Sequence, residues 1–129
     1  MWHLTRSTVV LALSSVSFSI NAANKQTASA NNPHAEKGMA AFYGRSMEGH
    51  KTACGTTYVA TELTTAHRTL PCGTKVRITN TKNGKSVEAT VNDRGPTSRK
   101  RIVDVSRAVA EQLDFVKQGT ITVEVEVVK

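Results

Sequence analysis

From Thr74 onward the chain alternates. In Thr74-Lys75-Val76-Arg77-Ile78-Thr79 every second residue is apolar, and Val87, Ala89 and Val91 repeat that period in the next segment. A period of two puts alternate side chains on opposite faces of an extended chain, so both segments are predicted as strands with one buried face. Asn83-Gly84 stands between them, and that dipeptide accepts the positive φ values of a tight hairpin turn. Thr120 to Val128 follows the same pattern, setting Ile121, Val123, Val125 and Val127 against Thr122, Glu124 and Glu126. Shorter strands are predicted at Met39–Tyr43 and Arg101–Val105, and Leu63 to His67 is expected to form a helical turn. Ser106 is placed to cap a helix running to about Leu113, whose apolar positions are Ala108, Val109, Ala110 and Leu113. Several short strands and one helix favour a mainly β fold built as a closed or nearly closed barrel, because an open sheet this small would expose unpaired edges.

The 129-residue chain is one domain long, and its start looks different from the rest. Arg6 is followed by an apolar run from Val9 to Ile20, thinned by serines, and then by the small residues of Asn21-Ala22-Ala23. That order is the order of a secretory signal, expected over residues 1–22. As a membrane anchor the run is short against the ~20 residues a span needs. No Cys follows it, so no thiol is offered for lipid attachment and no stable membrane anchor is expected. Residues 23–37 are small, polar and aperiodic, which predicts a disordered lead-in to a domain over 38–129. The protein is therefore expected outside the cytoplasm, in a periplasm or secreted, as a monomer.

Export changes how the cysteines are read. Cys54 and Cys72 are the only two, and in an oxidising compartment such a pair favours a disulfide over two buried thiols. In the chain-entropy description, closing that loop stabilises by about 3 kcal/mol. Zinc fits less well, since neither Cys belongs to a C-x-x-C pair, and His34, His50 and His67 show no ligand spacing; no metal or other cofactor is expected. The net charge is +7, and losing Arg6 with the signal would leave +6. Such a surface attracts anions, whether nucleic acid, acidic lipid or wall polymers, and export disfavours nucleic acid as the working partner.

Five segments then come together: Gly38-Met-Ala-Ala-Phe-Tyr-Gly44, Leu63-Thr-Thr-Ala-His-Arg-Thr-Leu-Pro71, Val76-Arg-Ile-Thr-Asn80 with Asn83-Gly84, Val91-Asn-Asp-Arg-Gly-Pro96, and Ile102-Val-Asp-Val-Ser106. In order and spacing they resemble the RlpA family. The resemblance implies a six-stranded double-psi β-barrel with one or two short helices, and endolytic lytic transglycosylase activity on peptidoglycan glycan strands. In that reaction the sugar's own 6-hydroxyl closes onto C1, so one acid can replace the two carboxylates of an ordinary glycosidase.

Among the carboxylates, Asp93 matches the family motif and precedes a Gly-Pro loop, which makes it the candidate catalytic acid. Its competing role is to bond loop amides and hold the turn. His67 is the second candidate, as an orienting group or an acid in its own right. Substrate contacts are expected at Tyr43, Thr65, Asn92 and Arg94. One departure stands out. The family carries Gly-Glu-x-Tyr-Asp where this chain reads Gly55-Thr56-Thr57-Tyr58-Val59, so Thr56 and Val59 occupy acidic positions and Glu62 is the nearest replacement. Many relatives append a glycan-binding repeat domain; the sequence ends at Lys129, just past the last strand, and that domain is not expected here. Two classes follow: a transglycosylase using Asp93, His67 and Glu62, or a non-catalytic barrel that grips glycan.

Overall fold

A computed structural model describes residues 35–129, so the expected signal and nearly all of the lead-in lie outside the described residues. Six strands form the body: β1 (Glu36–Phe42), β2 (Thr64–His67), β3 (Lys75–Asn80), β4 (Ser86–Asp93), β5 (Arg101–Val105) and β6 (Thr120–Val127). They close in the order β1-β5-β2-β4-β3-β6, with β1 pairing back onto β6. The β1–β5 and β2–β4 pairs are parallel and the other four are antiparallel. Closure satisfies both edges of every strand, which resolves the edge problem posed by so small a sheet.

Alternation places the core. Val76 and Ile78 of β3, Val91 of β4, Val103 and Val105 of β5 and Val123 of β6 are all fully buried. Helix α1 (Arg107–Gln112) stops one end. Ser106 Oγ accepts from Val109 N at 3.3 Å, the expected cap. The buried Leu113 and Phe115 follow the helix, and Leu113 O receives Asn80 Nδ2 at 2.8 Å. The β3–β4 connection is the five-residue loop 81–85, in which Asn80 N reaches Lys85 O at 2.8 Å, with Gly84 at φ 79° where a side chain would be strained.

Two segments differ from expectation. Leu63–His67 is not a helical turn: Thr64–His67 is β2, and all four residues are buried. This strand lies between β4 and β5 and is covered on both faces, so it shows no polar-apolar alternation from which its period could be read. The first strand begins at Glu36 rather than Met39, because Glu36, Lys37 and Gly38 pair with Val125, Glu124 and Val123 of the eight-residue β6. The last two residues of the predicted lead-in therefore belong to the barrel.

Gly38 is required by close approach. A Cβ there would stand 2.6 Å from Ile102 Cγ2, beside the irregularity in the β1–β5 register. Gly38→Ala should lower stability by about 1–3 kcal/mol, as overpacking does, measured by thermal unfolding. Gly44→Ala, with nothing within 4 Å of the added carbon, should change it by less than about 0.5 kcal/mol.

Candidate functional site

Register builds the site. Ala41 of β1, Asp104 of β5, Ala66 of β2 and Asp93 of β4 form one row across four neighbouring strands. Val103 and Val105 are fully buried, so the intervening Asp104 faces outward. Asp93 joins the row after a bulge between Thr65 and Ala66, which turns its side chain toward the outer loops. The two aspartate backbones flank Ala66 at two strand spacings, roughly 10 Å.

The Asp93 carboxylate is heavily bonded. Oδ1 accepts Ala53 N and Arg94 N, each at 2.8 Å, and Oδ2 accepts the Tyr43 hydroxyl at 2.5 Å. Tyr43 follows β1 and is held by its own backbone N–H on Val105 O at 3.0 Å. Burial pushes the Tyr43 hydroxyl far above the ordinary tyrosine range, helped by its bond to Asp93 and by the negative charges of Asp93 and Asp104. It is a proton donor at any working pH. Its ring packs edge-on against Tyr58, centroids 4.7 Å apart, and the hydroxyl of fully buried Tyr58 accepts Arg107 N at 3.2 Å. Burial raises Tyr58 as well. Beside this pair opens a cleft of about 230 Å³ lined by Tyr43, Arg45, Glu48, Tyr58, Arg107 and Glu111.

The disulfide shapes one wall. Cys54 and Cys72 are bridged. The residue before Cys54 is Ala53, whose amide sits on Asp93, and the loop is closed at its base by the Lys51–Thr57 bridge and by Thr52 N on Thr56 O at 2.7 Å. Arg94 points away from Asp93: its Nη1 donates to His67 O at 2.7 Å, and its Nη2 lies 3.7 Å from Cys72 Sγ.

The other residues singled out from sequence are placed as follows. His67 is buried with both ring nitrogens in use. Nδ1 accepts Thr69 N and Leu70 N at 3.1 Å each, so the proton resides on Nε2, which donates to Glu36 Oε1 at 2.9 Å. That ring ties the start of β1 to the end of β2, and no hydrogen bond joins it to Asp93. Glu62 is exposed on the loop ahead of β2 and makes no side-chain bond to either aspartate. Thr65 is fully buried and donates to Asp104 O at 3.2 Å, out of contact with solvent. Asn92 is nearly buried, and its Oδ1 lacks a hydrogen-bond partner among the described residues. At the altered acidic positions, the Thr56 hydroxyl is 3.0 Å from that of Thr52, and Val59 is half-buried.

Sequence reasoning passed over Asp104, although the signal was available: it alternates with two valines in β5 and lies in a motif already noted. Its Oδ1 accepts Arg101 Nε at 2.9 Å.

A family profile described as "Lytic transglycolase" matches residues 35–125. The chain belongs to the lytic transglycolase family. Its curated relatives bear out the RlpA resemblance. The protein of Neisseria meningitidis serogroup A named endolytic peptidoglycan transglycosylase RlpA is 52% identical over 91 residues, covering 70% of this chain and 38% of that protein. The protein of the same name from Pseudomonas aeruginosa is 47% identical over 89 residues, covering 69% and 26%. The chain thus spans well under half the length of these relatives. Among solved structures, Streptomyces papain inhibitor matches with TM-score 0.62 at 22% identity, over 75% of this chain and 96% of that one. A Clavibacter michiganensis expansin solved with cellohexaose matches at TM-score 0.60 and 19% identity, over 74% and 50%. These likenesses establish the shared fold, the double-psi β-barrel expected from sequence.

Both tyrosines of the chain have hydroxyls raised in the folded state. The unfolded chain ionises them near pH 10 while the folded one does not, so stability is full below that pH and falls as pH climbs above it. Ultraviolet titration should show the tyrosinate signal displaced above about pH 10, with the Tyr43 part appearing only on alkaline unfolding. Replacing both cysteines by alanine should lower stability by about 3 kcal/mol, seen as a lower denaturant midpoint.

Proposed function

We propose that this barrel cleaves peptidoglycan glycan strands as an endolytic transglycosylase, forming 1,6-anhydro ends outside the cytoplasm. The observation that carries this reading is the pair Asp93 and Asp104, set on either side of Ala66 on the outer face of the barrel with the Tyr43 hydroxyl on Asp93. Family membership supplies the reaction class.

In this reading Asp93 enters the reaction in its protonated form, with the proton on Oδ2, and is acid and then base. Its Oδ1 stays on the two amides, which fixes the plane of the carboxyl, and its Oδ2 exchanges the Tyr43 hydroxyl for the glycosidic oxygen between N-acetylmuramic acid and N-acetylglucosamine. Proton transfer to that oxygen breaks its bond to C1. The 6-hydroxyl of the muramic residue then bonds to C1 and returns its proton to Asp93, so water is not consumed and the enzyme is restored. Asp104 supplies negative charge where the cationic sugar develops. His67 acts as a positioning residue, holding β1 to β2. The half-buried cleft past Tyr43 continues the path of the strand.

The glycan-gripping alternative draws on Thr56, Val59 and the amides on Asp93. Incubating the protein with purified sacculi and analysing soluble products by mass spectrometry separates the two. Release of 1,6-anhydromuropeptides is expected, reduced about 10²–10⁴-fold in Asp93→Asn and roughly 10²-fold in Asp104→Asn. Binding without such products, in protein shown to be folded, establishes the gripping module instead.

A further inference from the structure

The end of the barrel that holds Asp93 also gathers cations. Arg68 follows β2, Arg94 follows β4, and Arg99, Lys100 and Arg101 lead into β5. Register makes them neighbours: Ala66 pairs with Asp93 and His67 with Val103, so the ends of β2 and β4 and the start of β5 meet there. Contacts join the two loops directly. Arg68 Nη2 donates to Ser98 O at 2.9 Å and Arg101 O at 2.6 Å, and Lys100 N donates to Ser98 Oγ at 3.2 Å.

Among the described residues only Arg101 of these five has a carboxylate partner, Asp104. Arg68 and Arg94 are held by carbonyl oxygens. A carbonyl fixes a guanidinium without neutralising it, and both groups retain unused N–H donors. Arg99 and Lys100 are exposed and make no ion pair among the described residues. Four cations at one rim, two of them held in place by backbone oxygens, outnumber the nearby carboxylates Asp93 and Glu36, and none of the four is paired with either; such a rim attracts and orients an anion.

We propose that this rim binds a carboxylate of the glycan strand and thereby sets the strand's register across Asp93. The inference rests on the transglycosylase reading for its ligand and names the chemistry that the same site recognises. Two sources present that group: the stem peptide on intact strands, and the lactyl carboxylate exposed on muramic residues when the peptide has been removed. Chains of N-acetylglucosamine alone have neither.

Fluorescence anisotropy at low ionic strength tests it with three labelled probes of equal length: peptide-bearing strands, peptide-stripped strands, and neutral N-acetylglucosamine oligomers. At least one carboxylated probe should bind roughly tenfold more tightly than the neutral one, and whichever binds better identifies the source. Arg99→Gln with Lys100→Gln, which breaks no side-chain hydrogen bond or ion pair among the described residues, should bring that ratio close to one. Lys82→Gln with Lys85→Gln removes equal charge from the hairpin at the other end of β4 and should leave it. A native ratio near one, or equal loss in both variants, overturns the proposal. Absence of anhydro products with the ratio intact overturns the transglycosylase reading alone.

Discussion

Two backbone amides on one carboxylate oxygen organise the site. Ala53 lies 40 residues before Asp93 and Arg94 one residue after it, and both N–H groups meet on Asp93 Oδ1. A bond from Arg94 is local and would form in any tight turn of this kind. The bond from Ala53 is not local, and it requires the 44–63 connection to be folded down against the end of β4. Several features serve that one requirement: the disulfide from Cys54 to Cys72, the bridge between Lys51 and Thr57, and the edge-on packing of Tyr58 against Tyr43. Without them a long polar loop would lose more in conformational entropy than one amide bond returns.

Much of the barrel was legible in the sequence wherever a strand has one wet face. Strands β3, β4 and β6 alternate because their outer residues meet solvent, and the period-two reading found them. It failed at β2 for a physical reason. Thr64 to His67 are buried on both faces, the inner by the valine core and the outer by the loops that build the site, so no polar position marks the period. The early start of β1 was hidden differently: Glu36 and Lys37 are exposed side chains on a backbone paired to β6, and pairing leaves no trace in hydropathy. The disulfide was readable from the expected export and the cysteine number alone.

The site was half legible, and the missing half is instructive. Asp93 stood in a recognised motif, but its partner could be found only through strand order, since β5 and β4 are separated by β2 in space and by the 94–100 loop in sequence. His67 shared the motif and looked like chemistry. Two amide protons on Nδ1 and a carboxylate on Nε2 show a side chain whose hydrogen bonds are already spent on the junction of β1 and β2. A motif preserves whatever the fold needs at a position, and a buried histidine bracing two strand ends is as demanding as one that moves protons.

For the proposed reaction, the absence of acidic side chains at Thr56 and Val59 matters less than counting carboxylates suggests. Those positions lie in the disulfide-bearing connection, which contributes to Asp93 through an amide and through Tyr58, not through a carboxylate. Hydrolysis would demand a second group to deprotonate water, but internal closure by a 6-hydroxyl hands the proton back to the group that gave it. What that chemistry needs is one carboxyl fixed in plane, with one oxygen able to change partners. Asp93 has that asymmetry: Oδ1 is committed to rigid backbone, and Oδ2 faces a single hydroxyl on a side chain that can yield to an incoming oxygen. In the proposed reaction Asp104, held by Arg101 of its own strand β5, keeps a negative charge in the same row, so a positive sugar formed between the two aspartates would be stabilised without any acidic residue from the loop.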